Sequence, residues 1–340
     1  MLKIDFYESG IGETTIITFP NGGVGVIDAH PSPTNSRAEI LQLVADREIH
    51  FLCLTHPHAD HGRDLVPILK NGPKPKVIWH TIPNFKEFTY YATEFTNFAS
   101  PIQSFIEKFN MEWANCFLDI FGTAKEKQIL RRQLRADVQP EVVDGVTIHF
   151  LSPEEQVSTE FAEKYAKEIQ AAEPKGGDPN RLSAVLALHY AGRVILLGGD
   201  ALKKNWYDAV PRYRNAGLPK AILLKVPHHG AKNACAITKK FSKRWPSYLD
   251  IVSTDPKATA VIFAGDVDHP NAQVYEKLEK AMTVTCLANG LKSETLNTTG
   301  LLKPDEASQL CHSHLGFTLD TNGVVTQTVG GSCHNCKLKV

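Results

Sequence analysis

The stretch Thr55-His56-Pro57-His58-Ala59-Asp60-His61-Gly62 carries four metal-capable side chains within six residues. Just upstream, His50–Leu54 is a compact apolar run of the kind that forms a buried strand. Just downstream, Gly62–Lys70 has helical spacing, with Leu65, Val66, Ile68 and Leu69 on one side. The cluster therefore falls where a buried strand ends and a helix begins, so a rigid scaffold aims it. His56 and His58 are two apart on extended backbone and point to one side. Asp60 and His61 open the helix and face a second position nearby. Imidazole combined with carboxylate suits Zn²⁺, Mn²⁺ or iron.

Two further apolar strands stop at metal-capable side chains: Leu196-Leu197-Gly198-Gly199-Asp200 and Val226-Pro227-His228-His229-Gly230. Gly25–Ile27 ends at Asp28 in the same way. Chemistry at the carboxyl ends of sheet strands is the habit of α/β proteins. The rest of the chain fits that class. Lys3–Tyr7 and Thr14–Phe19 are strands, Asn21-Gly22-Gly23 a turn, Ser36–Arg47 a helix and Lys76–Trp79 a strand. Val142–Leu151 reads as one strand and Glu154–Glu173 as a charged helix. Ser183–Tyr190 and Arg193–Leu197 form a hairpin, Ala221–Val226 and Thr259–Phe263 are buried strands, and Ala272–Ala281 is a helix. Leu315–Val329 is a hairpin turning at Asn322-Gly323. Two half-sets of strands flanked by helices make one α/β sandwich over residues 1–340.

Residues 84–139 interrupt that alternation and read as a helical insertion. Phe105, Phe109, Trp113, Phe117 and Phe121 recur every four residues, a drifting stripe on one helix face. Such stripes mostly bury themselves against the main domain; a homodimer surface or a lid are the sharper readings. Lys125, Lys127, Arg131, Arg132 and Arg135 read as a solvated helix face.

Composition excludes several classes. Hydrophobic residues make up 42% and charged ones 22%, so the chain buries a core and is neither disordered nor fibrous. Lys and Arg number 37 and so do Asp and Glu, which argues against a surface built to grip long duplexes. A nucleic-acid substrate would be held locally, by a metal or a small basic patch. The basic run Lys239, Lys240, Lys243 and Arg244 before Trp245, with Lys232, is either such a patch or plain solvated surface. No apolar run reaches membrane-spanning length, and Met1-Leu-Lys-Ile-Asp5 does not open like a secretory leader. Seven cysteines in such a chain read as reduced thiols of a cytoplasmic protein.

The set Asp28, His56/His58/Asp60/His61, Asp200 and His229 resembles the metallo-β-lactamase superfamily, whose signature is His-x-His-x-Asp-His. The resemblance implies a four-layer αβ/βα sandwich with two divalent metals at one edge. It implies that His56 and His58 hold the first metal, that Asp60, His61 and His229 hold the second, and that Asp200 bridges them. Asp28 is then an orienting aspartate, and His228 supports its neighbour. The family usually adds a third histidine to the first metal; that place here holds Asn180-Arg-Leu-Ser183. Of the intervening histidines, His149 and His189 read as structural and His80 ends a strand. Asn180 and Ser183, with Gly10-Ile-Gly12-Glu13 and Gly265-Asp-Val-Asp-His269-Pro270, are similar to the hydrolase domain of the ComEC DNA-uptake branch. What that branch implies is a phosphodiesterase or nuclease, often manganese-dependent, here without the membrane channel.

The function so implied is hydrolysis of a phosphodiester, in nucleic acid or a cyclic nucleotide, through a metal-bound hydroxide. Asp60 and Asp200 would hold the reacting centre, and His269 would protonate the leaving oxygen or bind phosphate. An oxygen-rich first shell favours Mn²⁺ over Zn²⁺. The same centre would serve an amide, lactam or thioester, and the fold would also serve a non-catalytic binding module. Over residues 311–340, Cys311, His314, Cys333 and Cys336 have the spacing of a structural zinc site. Cys53, Cys116, Cys235 and Cys286 are scattered and read as small core residues.

Overall fold

The computed structural model describes residues 1–9, 12–30, 36–82, 112–170, 178–235, 246–263, 270–287 and 311–332. The N-terminal half supplies β1 (Leu2–Ser9), β2 (Gly12–Thr18), β3 (Val24–Ile27), β4 (Ile49–Leu54), β5 (Val77–His80) and β6 (Leu130–Gln133). The C-terminal half supplies β7 (Glu141–Val143), β8 (Val146–Ser152), β9 (Val185–Tyr190), β10 (Arg193–Leu197), β11 (Leu223–Lys225), β12 (Thr259–Phe263) and β13 (Thr283–Leu287). The hairpin β14 (Cys311–Leu319) and β15 (Val325–Ser332) completes the set. Hydrogen bonding runs β6-β5-β4-β3-β2-β1-β14-β13-β12-β11-β10-β9-β8-β7, with β15 on β14.

That continuous ribbon folds over on itself, as side-chain alternation shows. On β4, Phe51 and Cys53 join a core with Ile148, Phe150, Leu186, Leu188, Ile195 and Leu197 of the far half. Leu52 and Leu54 face the other way. Trp79 of β5 meets Phe150 of β8 edge to face at 5.3 Å, although those strands lie far apart in the hydrogen-bonded order. Two sheet faces therefore pack against each other, each strand burying alternate residues inward.

Helices cover both outer faces. On the first half these are α1 (Ser36–Val44), α2 (Ala59–Gly62), α3 (Leu65–Asn71) and α4 (Glu112–Glu126). Ile40, Val44, Leu65, Ile68, Leu69, Ile120 and Ala124 pack with Leu52, Leu54 and Ile78. Helix α5 (Glu155–Gln170) follows β8. On the second half, α6 (Lys203–Asn215) and α7 (Ala272–Glu279) lay Trp206, Ala209, Val210, Tyr213, Val274 and Leu278 on Val194, Leu196, Ala260 and Ile262. The result is a four-layer sandwich, helix–sheet–sheet–helix. Among the described residues no helix is long and apolar enough to cross a membrane.

Several elements differ from the sequence reading for local reasons. Val142–Leu151 is two strands, β7 and β8, because Asp144 (φ 47°) and Gly145 (φ 78°) take the left-handed conformations of a tight hairpin turn. The helix read over Gly62–Lys70 divides at Arg63-Asp64 into α2 and α3. Arg131 and Arg132 lie not on a helix but on β6, an edge strand paired with β5 alone, where Arg132 meets Glu141. Polar residues on a short edge hide its strand character. Helix α6 and strand β13 have no counterpart in the sequence reading; α6 is mostly polar and contains Pro211. Of the aromatic stripe, Phe105 and Phe109 lie outside the described residues. Phe121 packs edge to face on His80, at 4.7 Å.

Candidate metal centre

Four strand ends meet at one edge of the sandwich. Parallel β3 and β4 deliver Asp28 and the Thr55–His61 turn; parallel β10 and β11 deliver Asp200 and His229. The approach is close. A Cβ on Gly12 would lie 2.3 Å from the Asp60 carbonyl oxygen and 2.4 Å from Cβ of His30, so only glycine lets β2 pass under the turn. Asp28, His228 and His229 hold left-handed backbone at φ 51°, 48° and 52°. Non-glycine residues stay there only when their surroundings dictate it, and functional sites are where this occurs.

Asp28 organises the first half of the site. Its Oδ1 accepts the Thr55 amide at 2.8 Å, and its Oδ2 accepts the Thr55 hydroxyl at 2.6 Å and His61 Nδ1–H at 2.7 Å. His61 is thereby fixed with Nε2 as its open nitrogen. The Thr55 hydroxyl hydrogen is committed to Asp28, so its oxygen accepts from His56 Nδ1–H at 3.1 Å and leaves His56 Nε2 with its lone pair. That lone pair lies 2.9 Å from His58 Nδ1. On the other half, His229 Nδ1 donates to the Phe263 carbonyl at 3.2 Å, which turns its Nε2 the same way.

The ligand-bearing groups converge. Asp60, His61 and His229 have ligand atoms within 4.8 Å of one another, and so do His56, His61 and Asp200. Asp200 Oδ2 stands 3.6 Å from His61 Nε2 and 3.9 Å from His56 Nε2. His56, His61, Asp200 and His229 are all buried. Yet His61 Nε2 and Asp200 Oδ1 have no hydrogen-bond partner. Such orphans are costly, and a cation in their midst would satisfy both. Titration points the same way. Burial disfavours the charged form of His61, but Asp28, Asp200 and Asp60 outweigh it and hold the imidazole well above its usual range. Burial also works against the Asp200 carboxylate, but His61, His229 and His56 hold it well below the usual range. Burial pushes His56 well down and His229 down to about 4, leaving lone pairs for a metal. The donor set, buried and short of one or more cations, fits divalent metal.

The first metal position is sparser. His58 Nδ1 lies 2.9 Å from His56 Nε2, but among the described residues His58 belongs to none of the convergent ligand groups, and His56 joins His61 and Asp200 instead. His80, buried at the end of β5, packs on Phe121 and belongs to no such cluster. Histidines 149 and 189 lie half-buried within β8 and β9. At the turn over 179–182 and the residue after it, Asn180 Oδ1 and Ser183 Oγ are buried without partners. Asn180 Nδ2 is 3.4 Å from His228 Nε2, so His228 faces the Asn180 turn while His229 enters the cluster.

One residue of the centre, Lys225, escaped the sequence reading, and Glu13 entered it only as part of Gly10-Ile-Gly12-Glu13, without a role. Lys225, the last residue of β11, is buried beneath the cluster and contacts Glu13 of β2 and the Gly199 carbonyl. Burial pushes the Glu13 carboxyl up, to about 8, against the pull of the Lys225 ammonium. The available signal was a lone lysine inside the apolar run Ala221-Ile-Leu-Leu-Lys-Val226.

Other expected sites fare differently. His269, the basic run at 239–244, Cys333 and Cys336 lie outside the described residues, as does the side chain of Cys311. His314 is committed elsewhere: its Nε2 donates to buried Asp5 at 2.8 Å and its ring stacks on Tyr7 at 4.6 Å. Cys53, Cys235 and Cys286 are buried, and Cys116 is half-buried.

Residues 10–164 match the model of the Metallo-beta-lactamase superfamily, a segment that contains the whole His56–His61 turn. Asp200 and His229 fall beyond it and reach the centre through the fold. No curated protein matches the chain. One solved structure, a CmlA β-hydroxylase variant, is similar at 10% identity and a TM-score of 0.41, with 84% of this chain and 52% of that one covered. The chain thus spans about half the length of that protein, and nothing about activity carries across at this level of likeness.

Proposed function

We propose that this chain is a metal-dependent phosphodiesterase or nuclease with two divalent ions at the strand ends. Asp60, His61 and His229 would hold one ion, His56 and His58 the other, and Asp200 would serve both. Ions held there supply Lewis acidity at a phosphoryl oxygen and lower the pKa of water. The chain's own part is placement. Asp28 holds His61 and Thr55, Thr55 holds His56, and the Phe263 carbonyl holds His229, each turning Nε2 toward Asp200 or its neighbours.

One observation supports the phosphoester reading above the others. At the place in the sequence where the resemblance expects a third imidazole, the chain has Asn180 and Ser183, whose Oδ1 and Oγ are buried without partners. Oxygen donors favour Mn²⁺ over Zn²⁺, and a less complete nitrogen shell leaves room for a phosphate oxygen. Mn²⁺- and Zn²⁺-loaded protein should be assayed on bis-p-nitrophenyl phosphate, single- and double-stranded DNA, RNA and cyclic dinucleotides, beside a β-lactam and a thioester. Manganese-dependent turnover of a phosphodiester is expected. Turnover of the lactam or thioester alone would overturn it in favour of acyl hydrolysis. Stoichiometric failure to hold metal would favour a binding module.

A further inference from the structure

Beneath the ligand cluster lies an ion pair that the proposed chemistry does not use. Lys225 is 2% exposed and Glu13 is 3% exposed. Lys225 Nζ contacts Glu13 Oε1, donates to the Gly199 carbonyl at 2.8 Å, and stands 3.9 Å from Asp200 Oδ1. Glu13 faces two ligands from behind: Oε2 is 4.0 Å from His61 Nδ1 and Oε1 is 3.8 Å from His229 Nδ1. Glu13, Asp200 and His229 converge within 4.8 Å.

The pair also crosses the sandwich. Glu13 is on β2 and Lys225 on β11, strands separated in the hydrogen-bonded order by β1, β14, β13 and β12. His56, His58, Asp60 and His61 ride on the Glu13 half, while Asp200 and His229 ride on the Lys225 half. Any metal that takes ligands from both needs the two halves at a fixed spacing. Lys225 further ties Gly199, the residue before Asp200, whose φ of 49° sets where that carboxylate points. Behind the pair a cavity of about 10 Å³, lined by Thr15, Asp28 and Thr55, has room for at most one water.

Stability alone does not explain such a pair. Desolvating two charges offsets most of their attraction, and apolar residues of similar size are often as good or better. We infer that Glu13 and Lys225 are positioning residues that set the spacing of His61, Asp200 and His229 and thereby the affinity of the centre for divalent metal. The inference rests on the metal reading of the site given above.

The test is Glu13→Gln combined with Lys225→Met, which removes both charges and leaves neither uncompensated. Metal-free melting temperature is measured by calorimetry, and Mn²⁺ and Zn²⁺ affinity by competition with a chromophoric chelator. The expected result is a metal-free melting temperature at or above wild type, with metal bound 10- to 100-fold more weakly, the order lost when outer partners of ligands are removed. Glu13→Gln alone should lower the metal-free melting temperature, because it strands the buried Lys225 ammonium. Metal affinity within twofold of wild type in the double variant would overturn the inference and leave the metal reading intact. Wild-type protein that binds neither ion would overturn both.

Discussion

Asp28 shows how much of the centre is decided by single atoms. One carboxylate accepts three bonds, from the Thr55 amide, the Thr55 hydroxyl and His61 Nδ1, and so fixes the turn and a ring tautomer together. In Asp28→Asn the amide oxygen replaces only one acceptor, and the –NH₂ group opposes donors. Titration with Mn²⁺ should show affinity reduced 10- to 100-fold; unchanged affinity would mean that His61 is oriented by something else. Asp200→Asn keeps shape but removes a negative charge shared by both proposed ions. The fold should survive, and phosphodiester turnover should fall by at least ~100-fold, as when one key electrostatic group is lost. Near wild-type turnover in excess Mn²⁺ would contradict the two-ion arrangement.

Among the elements, β4 and β5 join fold to site, since their inward faces build the core and their ends carry the chemistry. Phe51 is fully buried and stacks on Trp79 at a 3.8 Å centroid distance. Phe51→Ala should cost about 3–5 kcal/mol in denaturant unfolding, against within about 0.5 kcal/mol for Val142→Ala on exposed β7. His80, at the end of β5, carries a pH signature. Burial pushes its pKa down to about 3, so between pH 6.5 and 3 the unfolded chain binds a proton that the folded chain refuses. Stability from this group is whole above pH 6.5 and is lost on acidification, by about 1.4 kcal/mol per pH unit. His80→Leu should flatten that acid limb in unfolding measurements from pH 7 to 4; an unchanged slope would assign it to other groups. The strands around the site were legible because buried parallel strands are short apolar runs. What escaped were elements without such a pattern: β6, a polar edge, and α6, whose buried Trp206, Ala209, Val210 and Tyr213 are diluted by charge.

At the scale of the molecule, the centre draws His56, His58, Asp60 and His61 from one half of the sandwich and Asp200 and His229 from the other. That His56, His61, Asp200 and His229 meet at one edge was legible, because each follows closely on an apolar strand. The supporting layer was not, since Glu13 and Lys225 are distant in sequence and meet only when the ribbon folds over. A metal spanning both halves binds the folded chain and not the unfolded one. Mn²⁺ at 100 times its dissociation constant should then stabilise by about 2.7 kcal/mol, seen as a rise of several degrees in melting temperature that EDTA reverses. The most direct test is anomalous diffraction at the manganese edge from crystals grown with Mn²⁺. Two peaks are expected, one among Asp60, His61, His229 and Asp200 and one between His56 and His58 near Asp200. Crystals grown in saturating Mn²⁺ with no anomalous density among these residues would contradict the metal centre itself.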